Sequence, residues 1–263
     1  MKTTFSTTLK NHLSEVTKLH EKLEEFGRTQ QIPESVLSSM DLALEEILTN
    51  IISYGYQDTQ EHDILLRLIL EGEELIAEVV DDGKPFNPLN VPDPDVTLPI
   101  EDRPIGGLGI HLTKKMMDGI DYAQLDGKNL LRLRKKLSKS TWISHHPAEG
   151  HTMEILQEQQ DHVIILSLVG RLDANTSTSL EEKLLALIET DNRLFIIDCT
   201  QLDYISSAGL RVLLMAAKKL KPLDGKVALA SLKDHIKEIF EIAGFLSIFQ
   251  IFSGQEEAIK DIQ

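Results

Sequence analysis

The sequence predicts an α+β protein of two domains, and three observations lead to this prediction. The chain has 263 residues, more than the usual domain length of about 100 to 150 residues. Its first half places helices before strands, whereas its second half alternates strands with helices. Residues 138–150 show no sustained period and contain Pro147 and Gly150. We therefore expect domains over 1–137 and 151–263, with a linker over 138–150.

Hydrophobic periodicity defines the elements of the first domain. Apolar residues recur at three- and four-residue spacing in three stretches, which predicts amphipathic helices. Strand-like runs on either side of a turn at Gly72 predict a hairpin. This order suits an α/β sandwich. The predicted elements are helices over 9–26, 34–55 and 108–117 and strands over 64–70, 75–80 and 129–135.

The second domain shows the alternation of short apolar runs and helical stretches that is typical of an α/β fold. A further helix is expected in the last residues of the chain. The other predicted elements are strands over 163–169, 194–198 and 226–230 and helices over 176–188, 207–220 and 234–242.

The composition argues against several classes of function. The formal net charge of -15 would repel a phosphate backbone, so we expect no direct nucleic-acid partner. No stretch approaches the roughly 18 uninterrupted apolar residues of a membrane span, so we expect no membrane partner. Cys199 is the only cysteine and lies in an apolar run, which predicts a buried thiol in a reducing compartment. These features favour a cytoplasmic location.

Glu46 and Asn50 lie four residues apart on the second predicted helix, so they project from one face. An Asn side-chain oxygen is a suitable ligand for Mg²⁺, and a neighbouring carboxylate can accept a hydroxyl proton. Taken alone, the pair is weak evidence, because most Glu residues on helices are merely solvated.

Two glycine-containing turns add candidates for a nucleotide site. Asp81 and Gly83 follow an apolar strand; Asp81 could accept from an adenine amino group, and Gly83 would let the backbone approach the base. A simple turn that ends the strand is the alternative. Gly106, Gly107 and Gly109 open a helix, where backbone N–H groups and the helix dipole favour phosphate. The sequence contains no Walker-type P-loop motif.

In this order the three elements resemble the N, G1 and G2 boxes of the GHKL ATPase superfamily, in the compact version found in anti-sigma factor serine kinases. The resemblance covers about residues 5–137 and is carried by EILTN at 46–50, VDDGKPF at 80–86 and GGLGI at 106–110. It implies a GHKL ATPase α/β sandwich that binds ATP and Mg²⁺.

The resemblance also implies a role for each matching residue. By it, Asn50 binds Mg²⁺, Glu46 is the general base and Asp81 contacts adenine. Gly83 belongs to the same box as Asp81. Pro85 departs from relatives outside this kinase group, many of which have a second glycine there, and it stiffens the turn. The implied phosphate cradle is formed by Gly106, Gly107 and Gly109.

The loop over residues 88–104 corresponds to the ATP lid in this resemblance. Loops of this length inside a compact domain are usually functional or mobile. Arg103, near its end, would either contact a phosphate or face the solvent.

The histidines do not match a recognised site. His12 and His20 lie on the first predicted helix but lack the acidic, proline-containing surroundings of a histidine-kinase phosphoacceptor. We expect both to be surface residues. The histidines at 145, 146 and 151 lack the spacing of a metal site and no cysteine accompanies them.

From about residue 153 onward the chain resembles STAS domains of the anti-sigma factor antagonist type. The stretches GRLDA at 170–174 and DYISSAGLR at 203–211 carry the resemblance. It implies a STAS α/β domain in which a Ser or Thr just before a Gly-Leu pair accepts phosphate. Ser207 matches this position best and Ser206 is second, because the residue at 208 is an alanine.

These motif residues also have structural interpretations. Ser206 and Ser207 begin a predicted helix, so either hydroxyl could cap its first turn. A phosphate at this position would instead add nearly two negative charges to a docking surface. Asp173 corresponds to an acidic residue near the acceptor surface, where it would bind a partner or cap a helix.

The two halves together predict a bacterial partner-switching regulator. Its first domain would be an ATP- and Mg²⁺-dependent protein serine/threonine kinase and anti-sigma factor module, which phosphorylates its own or a separate STAS-domain antagonist. The expected partners are a sigma factor or a STAS-domain protein, a phosphatase, and a second copy in a homodimer. The alternative is a non-catalytic module in which ATP gates the binding of a sigma factor or another signalling partner.

Overall fold

The computed structural model of the chain describes residues 2–137 and 153–262. Within these ranges no helix combines the length and the apolar character needed to span a membrane. The linker predicted over 138–150 lies outside the described residues, as do the histidines at 145, 146 and 151.

The described chain divides into two compact units, and the division does not follow sequence order alone. The first unit comprises residues 2–93 and 109–137, and the second comprises residues 94–108 and 153–262. A segment from the middle of the first half therefore belongs to the second unit. The domain boundaries given by the sequence stay predictions.

A five-stranded antiparallel sheet in the order β1-β2-β3-β5-β4 forms the centre of the first unit. The second helix, α2, continues into a π-helical turn over Ile51–Gly55. The strands are β1 Lys2–Lys10, β2 Asp63–Glu71, β3 Glu74–Asp81, β4 Gly119–Leu125 and β5 Lys128–Lys136. The helices are α1 Glu15–Gln30, α2 Glu34–Asn50 and α3 Leu108–Met116.

The core of this unit lies between the helices and one face of the sheet. The alternate residues Ile64, Leu66 and Leu68 of β2 are buried, as the side-chain period of a strand requires. Leu66 and Leu68 of β2 share one apolar cluster with Leu19 and Leu23 of α1 and with Met40 of α2. Each fully buried side chain of this size contributes roughly 1.5–3 kcal/mol. The packing confirms the predicted α/β sandwich.

The sequence prediction missed both edge strands of this sheet. The predicted helix over 9–26 is wrong at its start, because Leu9 is buried at the end of β1 and α1 begins only at Glu15. Thr and Ser favour strands, but β1 contains only two large apolar residues, Phe5 and Leu9. An edge strand needs little apolar alternation, so the periodicity signal is weak there.

A second five-stranded sheet, in the order β10-β9-β8-β7-β6, forms the centre of the second unit. Only β6 and β7 pair antiparallel; the other neighbours are parallel. The strands are β6 Met153–Gln160, β7 Val163–Leu172, β8 Leu194–Ile205, β9 Lys226–Ala230 and β10 Gln250–Phe252. The helices are α4 Ser177–Glu189, α5 Ser207–Leu220, α6 Asp234–Ile242 and α7 Gln255–Ile262.

The central strands of this sheet are buried on both faces. Residues 163–166 and 195–199 form continuous buried runs, which is the pattern of a parallel sheet covered by helices. Cys199 is buried as predicted, and burial raises the pKa of its thiol. The sequence prediction missed the two edge strands, β6 and β10. The helices and the central strands confirm an α/β domain, and the whole chain has the predicted α+β class.

Candidate functional site

The last turn of α2 holds Glu46 and Asn50 one turn apart. Asn50 Nδ2 donates to the main-chain oxygen of Glu46 at 2.7 Å. Because the amide nitrogen is used in this way, the amide oxygen of Asn50 is the atom that could bind a cation. Glu46 is 5% exposed. The adjoining turn is π-helical, a distortion frequent at functional sites. The oxygen of Asn50 therefore fits Mg²⁺, a hard cation that takes few protein ligands.

Asp81 is the last residue of β3, and two donors hold one of its carboxylate oxygens. Oδ1 accepts from the backbone N–H of Gly83 at 2.8 Å and from Asn129 Nδ2 at 2.8 Å. Burial raises the pKa of Asp81, and these two hydrogen bonds oppose that rise. A Cβ on Gly83 would lie 2.9 Å from Asp81 Oδ1 and 2.9 Å from the oxygen of Gly55. The turn therefore requires glycine, because Asp81 and Gly55 occupy the space that a side chain would need.

Asn129 is a site residue that the sequence analysis missed. It is buried on β5, directly opposite Asp81 in the strand register. Its Nδ2 also donates to the oxygen of Gly83 at 3.0 Å, and its Oδ1 accepts from the Tyr122 hydroxyl at 2.8 Å. The chain Tyr122–Asn129–Asp81 thus fixes the orientation of the carboxylate. The place of Asn129 in the site follows only from the pairing of β3 with β5.

Tyr56 and His62 lie beside the acidic end of this turn. Their rings stack with centroids 4.1 Å apart, and His62 contacts Asp58 at 3.0 Å and Asp82 at 3.2 Å. Within the described residues the Tyr56 hydroxyl is buried without a hydrogen-bond partner. Burial, followed by the charges of Asp81 and Asp82, raises its pKa. This hydroxyl is a donor positioned near carboxylates, and the sequence analysis missed it.

Two of the glycines that open α3 have a left-handed backbone. Gly106 and Gly107 belong to the second unit and have φ values of +117° and +81°. Side chains rarely adopt this left-handed conformation, so the backbone requires glycine at both positions. Gly109 belongs to the first unit, and its oxygen accepts from Thr113 Oγ1 at 2.9 Å within α3.

The start of α5 distinguishes the two candidate serines. Ser206 occupies the N-cap position and is 1% exposed. Its hydroxyl makes no capping bond and has no hydrogen-bond partner among the residues described. Ser207 is the first residue of the helix and is partly exposed. Exposure therefore favours Ser207 as a modification site, in agreement with its position before Gly209 and Leu210.

Asp173 lies in the turn between β7 and α4 and is nearly fully buried. Its Oδ1 accepts from the backbone N–H groups of Asn175 at 2.9 Å and Thr176 at 3.0 Å. Nearby, the guanidinium of Arg171 lies 3.7 Å from the centroid of the Tyr204 ring. The carboxylate thus caps the turn before α4, which supports the structural interpretation; partner binding by Asp173 stays a prediction.

The prediction that His20 is a surface residue is wrong. His20 is 1% exposed and lies in α1, where its Nδ1 is 2.5 Å from Asp41 Oδ1 and its Nε2 is 3.5 Å from Glu45 Oε2. The two carboxylates belong to α2, so the imidazole joins the first two helices. His12 is exposed as predicted, in the turn before α1.

Two family models match the chain. The histidine kinase-like ATPase domain matches residues 9–135, and the STAS domain matches residues 154–258. These matches confirm both resemblances that the motifs indicated. A histidine kinase-like ATPase domain implies ATP binding.

Relatives match one half of the chain at a time. The protein named "Putative anti-sigma factor antagonist BtrV" of Bordetella bronchiseptica is 41% identical over 106 residues, which cover 40% of this chain and 91% of that protein. The anti-sigma-B factor antagonist of Listeria monocytogenes is 31% identical over 40% of this chain and 92% of its own length. The serine-protein kinase RsbW of Bacillus mycoides is 31% identical over 36% of this chain and 61% of its own length.

Proposed function

The chain belongs to the STAS-domain anti-sigma factor antagonists and carries a histidine kinase-like ATPase domain ahead of its STAS domain, and from this premise we propose that the first domain is an ATP-dependent serine kinase acting on a STAS domain. The two domains together are those of a partner-switching module. The observation that carries the proposal is the pairing, in one chain, of a fixed Asp81–Asn129 site and a partly exposed Ser207 at a helix start.

In the proposed reaction the hydroxyl oxygen of the acceptor serine attacks the γ-phosphorus of ATP. The bond from that phosphorus to the bridging oxygen breaks, and ADP is the leaving group. Glu46 accepts the hydroxyl proton. Asp81 and Asn129 orient the adenine, and the glycine turn offers its N–H groups to the phosphates. Asn50 would hold Mg²⁺, which would neutralise phosphate charge when bound.

Ser207 is the proposed acceptor, with Ser206 second. A phosphate on the first residue of α5 adds nearly two negative charges at the positive end of the helix dipole. The change in charge would alter docking of a partner, which we propose to be a sigma factor or a separate STAS-domain protein. A phosphatase would restore the hydroxyl, and a homodimer would be the working form.

A substitution at Glu46 separates this proposal from an ATP-gated binding module. We expect Glu46→Ala to bind ATP normally but to lose phosphate transfer, whereas Glu25→Ala, at an exposed position on α1, retains both. Calorimetry with ATP and Mg²⁺ gives the affinity, and phosphopeptide mass spectrometry gives the transfer. Equal phosphorylation of Glu46→Ala and the wild type would contradict the role of Glu46. ATP binding without transfer in the wild type would favour the binding module.

A further inference from the structure

Residues 94–108, which we call the strap, are part of the second unit, and Arg103 anchors them there. Arg103 is 4% exposed, and a buried charge is stable only when its hydrogen-bonding groups are paired. Its guanidinium donates from Nη1 to the oxygen of Ala243 at 2.7 Å and from Nη2 to the oxygen of Gly244 at 2.9 Å. Within the strap it also donates to the main-chain oxygens of Val96 and Leu98.

The receptor for Arg103 is the turn that directly follows α6, residues 243–245, which we call the anchor turn. The last carbonyls of a helix lack intrahelical N–H partners and form the negative end of its dipole. A guanidinium supplies both donors and a positive charge, so it matches this helix end. The ring centroid of Phe245 lies 5.9 Å from the guanidinium carbon, close enough for a cation–π contribution. The anchor turn is therefore complementary to arginine in shape, charge and hydrogen bonding.

Two further features fit the strap to this surface. Glu101 of the strap accepts from Lys218 through its main-chain oxygen at 2.9 Å and forms an ion pair with Lys221 at the end of α5. Gly244 has a φ of +68°, and a Cβ there would clash with the oxygen of Val96 and lie 2.9 Å from Arg103 Nη2. The anchor turn thus admits the strap only when position 244 is glycine.

We infer that the STAS fold of this chain binds the strap through Arg103 and thereby preorganises the glycine turn for nucleotide. Arg103 lies three residues before Gly106. Apart from chain neighbours, no atom of the described residues comes within 4 Å of a Cβ built on Gly106 or Gly107, so the side on which a side chain would lie is open at both glycines. The anchor restrains the chain that leads into these glycines. Less conformational entropy is therefore lost when nucleotide binds. The anchoring is independent of the proposed kinase; its effect on ATP rests on that proposal.

Variants that release the strap from the anchor turn test this inference. We expect Arg103→Gln and Gly244→Ala each to increase hydrogen exchange of the peptide covering residues 94–108. Each should also weaken the binding of ATP with Mg²⁺ about five- to tenfold, the loss expected when a preorganised segment must be ordered on binding. Gly72→Ala is the matched control, because Gly72 also has a left-handed φ, +62°, and no described atom within 4 Å of a Cβ. It introduces the same backbone strain away from the strap.

Each result has a defined meaning when the variants show the circular dichroism of the wild type. Faster exchange with weaker ATP binding in both variants, and neither change in Gly72→Ala, supports the inference. Unchanged exchange overturns the anchor. Faster exchange with unchanged or tighter ATP binding overturns the preorganisation. If the wild type binds no ATP, the proposed function fails, and the exchange of residues 94–108 still decides whether Arg103 holds the strap.

Discussion

The carboxylate of Asp81 and the start of α5 differ in hydrogen bonding and in exposure. Two donors fix Asp81, and one of these, Asn129, is itself held by Tyr122. By contrast, Ser206 is buried without a hydrogen-bond partner among the described residues, and Ser207 is partly exposed. A site that must recognise a ligand benefits from preorganisation, whereas a residue that must enter another active site benefits from access. The contrast matches the roles proposed for the two regions.

The largest expected effect follows from Asp81→Asn. Oδ1 receives both donors, so an amide would place its nitrogen at the Oδ2 position and direct a donor at the adenine amino group. Hydrogen bonds to charged groups contribute about 1.5–3 kcal/mol, so we expect ATP affinity to fall by about 10- to 100-fold. Calorimetry measures this. Asp82→Asn, an exposed neighbour with the same loss of charge, is the control, and an equal loss in both would contradict the assignment.

Asn129→Ala should reduce both stability and ATP affinity. It removes the donor to Asp81 and Gly83 and the acceptor for Tyr122, and an unsatisfied buried polar group costs about 1–3 kcal/mol. Urea unfolding should show a loss of that size. The control is Asn90→Ala at an exposed position, where a change within about 0.5 kcal/mol is expected. Equal stability of the two variants would show that the chain Tyr122–Asn129–Asp81 does not hold the site.

Ser206→Ala should have a small effect of the opposite sign. A buried hydroxyl without a partner destabilises the folded state, so its removal should leave stability unchanged or raise it by up to about 1 kcal/mol. Phosphate incorporation should persist, because Ser207 remains. Urea unfolding and phosphopeptide mapping measure the two quantities. A stability loss above about 1 kcal/mol would mean that the Ser206 hydroxyl has a structural partner.

The smallest effect concerns His62. The hydrogen bond to Asp58, and then that to Asp82, raises the pKa of His62. A raised pKa in the folded state adds stability that is full below the unfolded pKa of about 6.5 and is lost as pH rises through the folded value. The stability advantage of the wild type over His62→Gln should therefore be larger at about pH 6 than at about pH 9. Unfolding midpoints at both pH values check this, and an equal difference would contradict it.

The sequence predicts the local parts of this molecule better than the long-range parts. Asn50 and Glu46 are one helical turn apart, and Asp81 and Gly83 share one turn, so spacing alone brings each pair together. The role of Asn129 depends on strand register across 48 residues, which no local pattern specifies. The same holds for Arg103, whose acceptor at Ala243 is 140 residues away.

Burial of charged groups is also poorly predicted from a single sequence. His20 lies four residues after Val16 and three before Leu23, on the buried face of α1, and two carboxylates on the neighbouring helix compensate its burial. Arg103 is compensated by carbonyl oxygens instead. Such partners can be identified only after the elements have packed.

The most direct test of the central claim is phosphopeptide mapping of the full chain after incubation with ATP and Mg²⁺. Three samples suffice: the wild type alone, Glu46→Ala alone, and Glu46→Ala mixed with Ser207→Ala. We predict phosphate on Ser207 of the wild type by either route, on Ser207 of Glu46→Ala in the mixture only if transfer occurs between chains, and none on Glu46→Ala alone. Phosphate on neither Ser207 nor Ser206 in any sample would contradict the proposal that this kinase phosphorylates the STAS domain of its own kind.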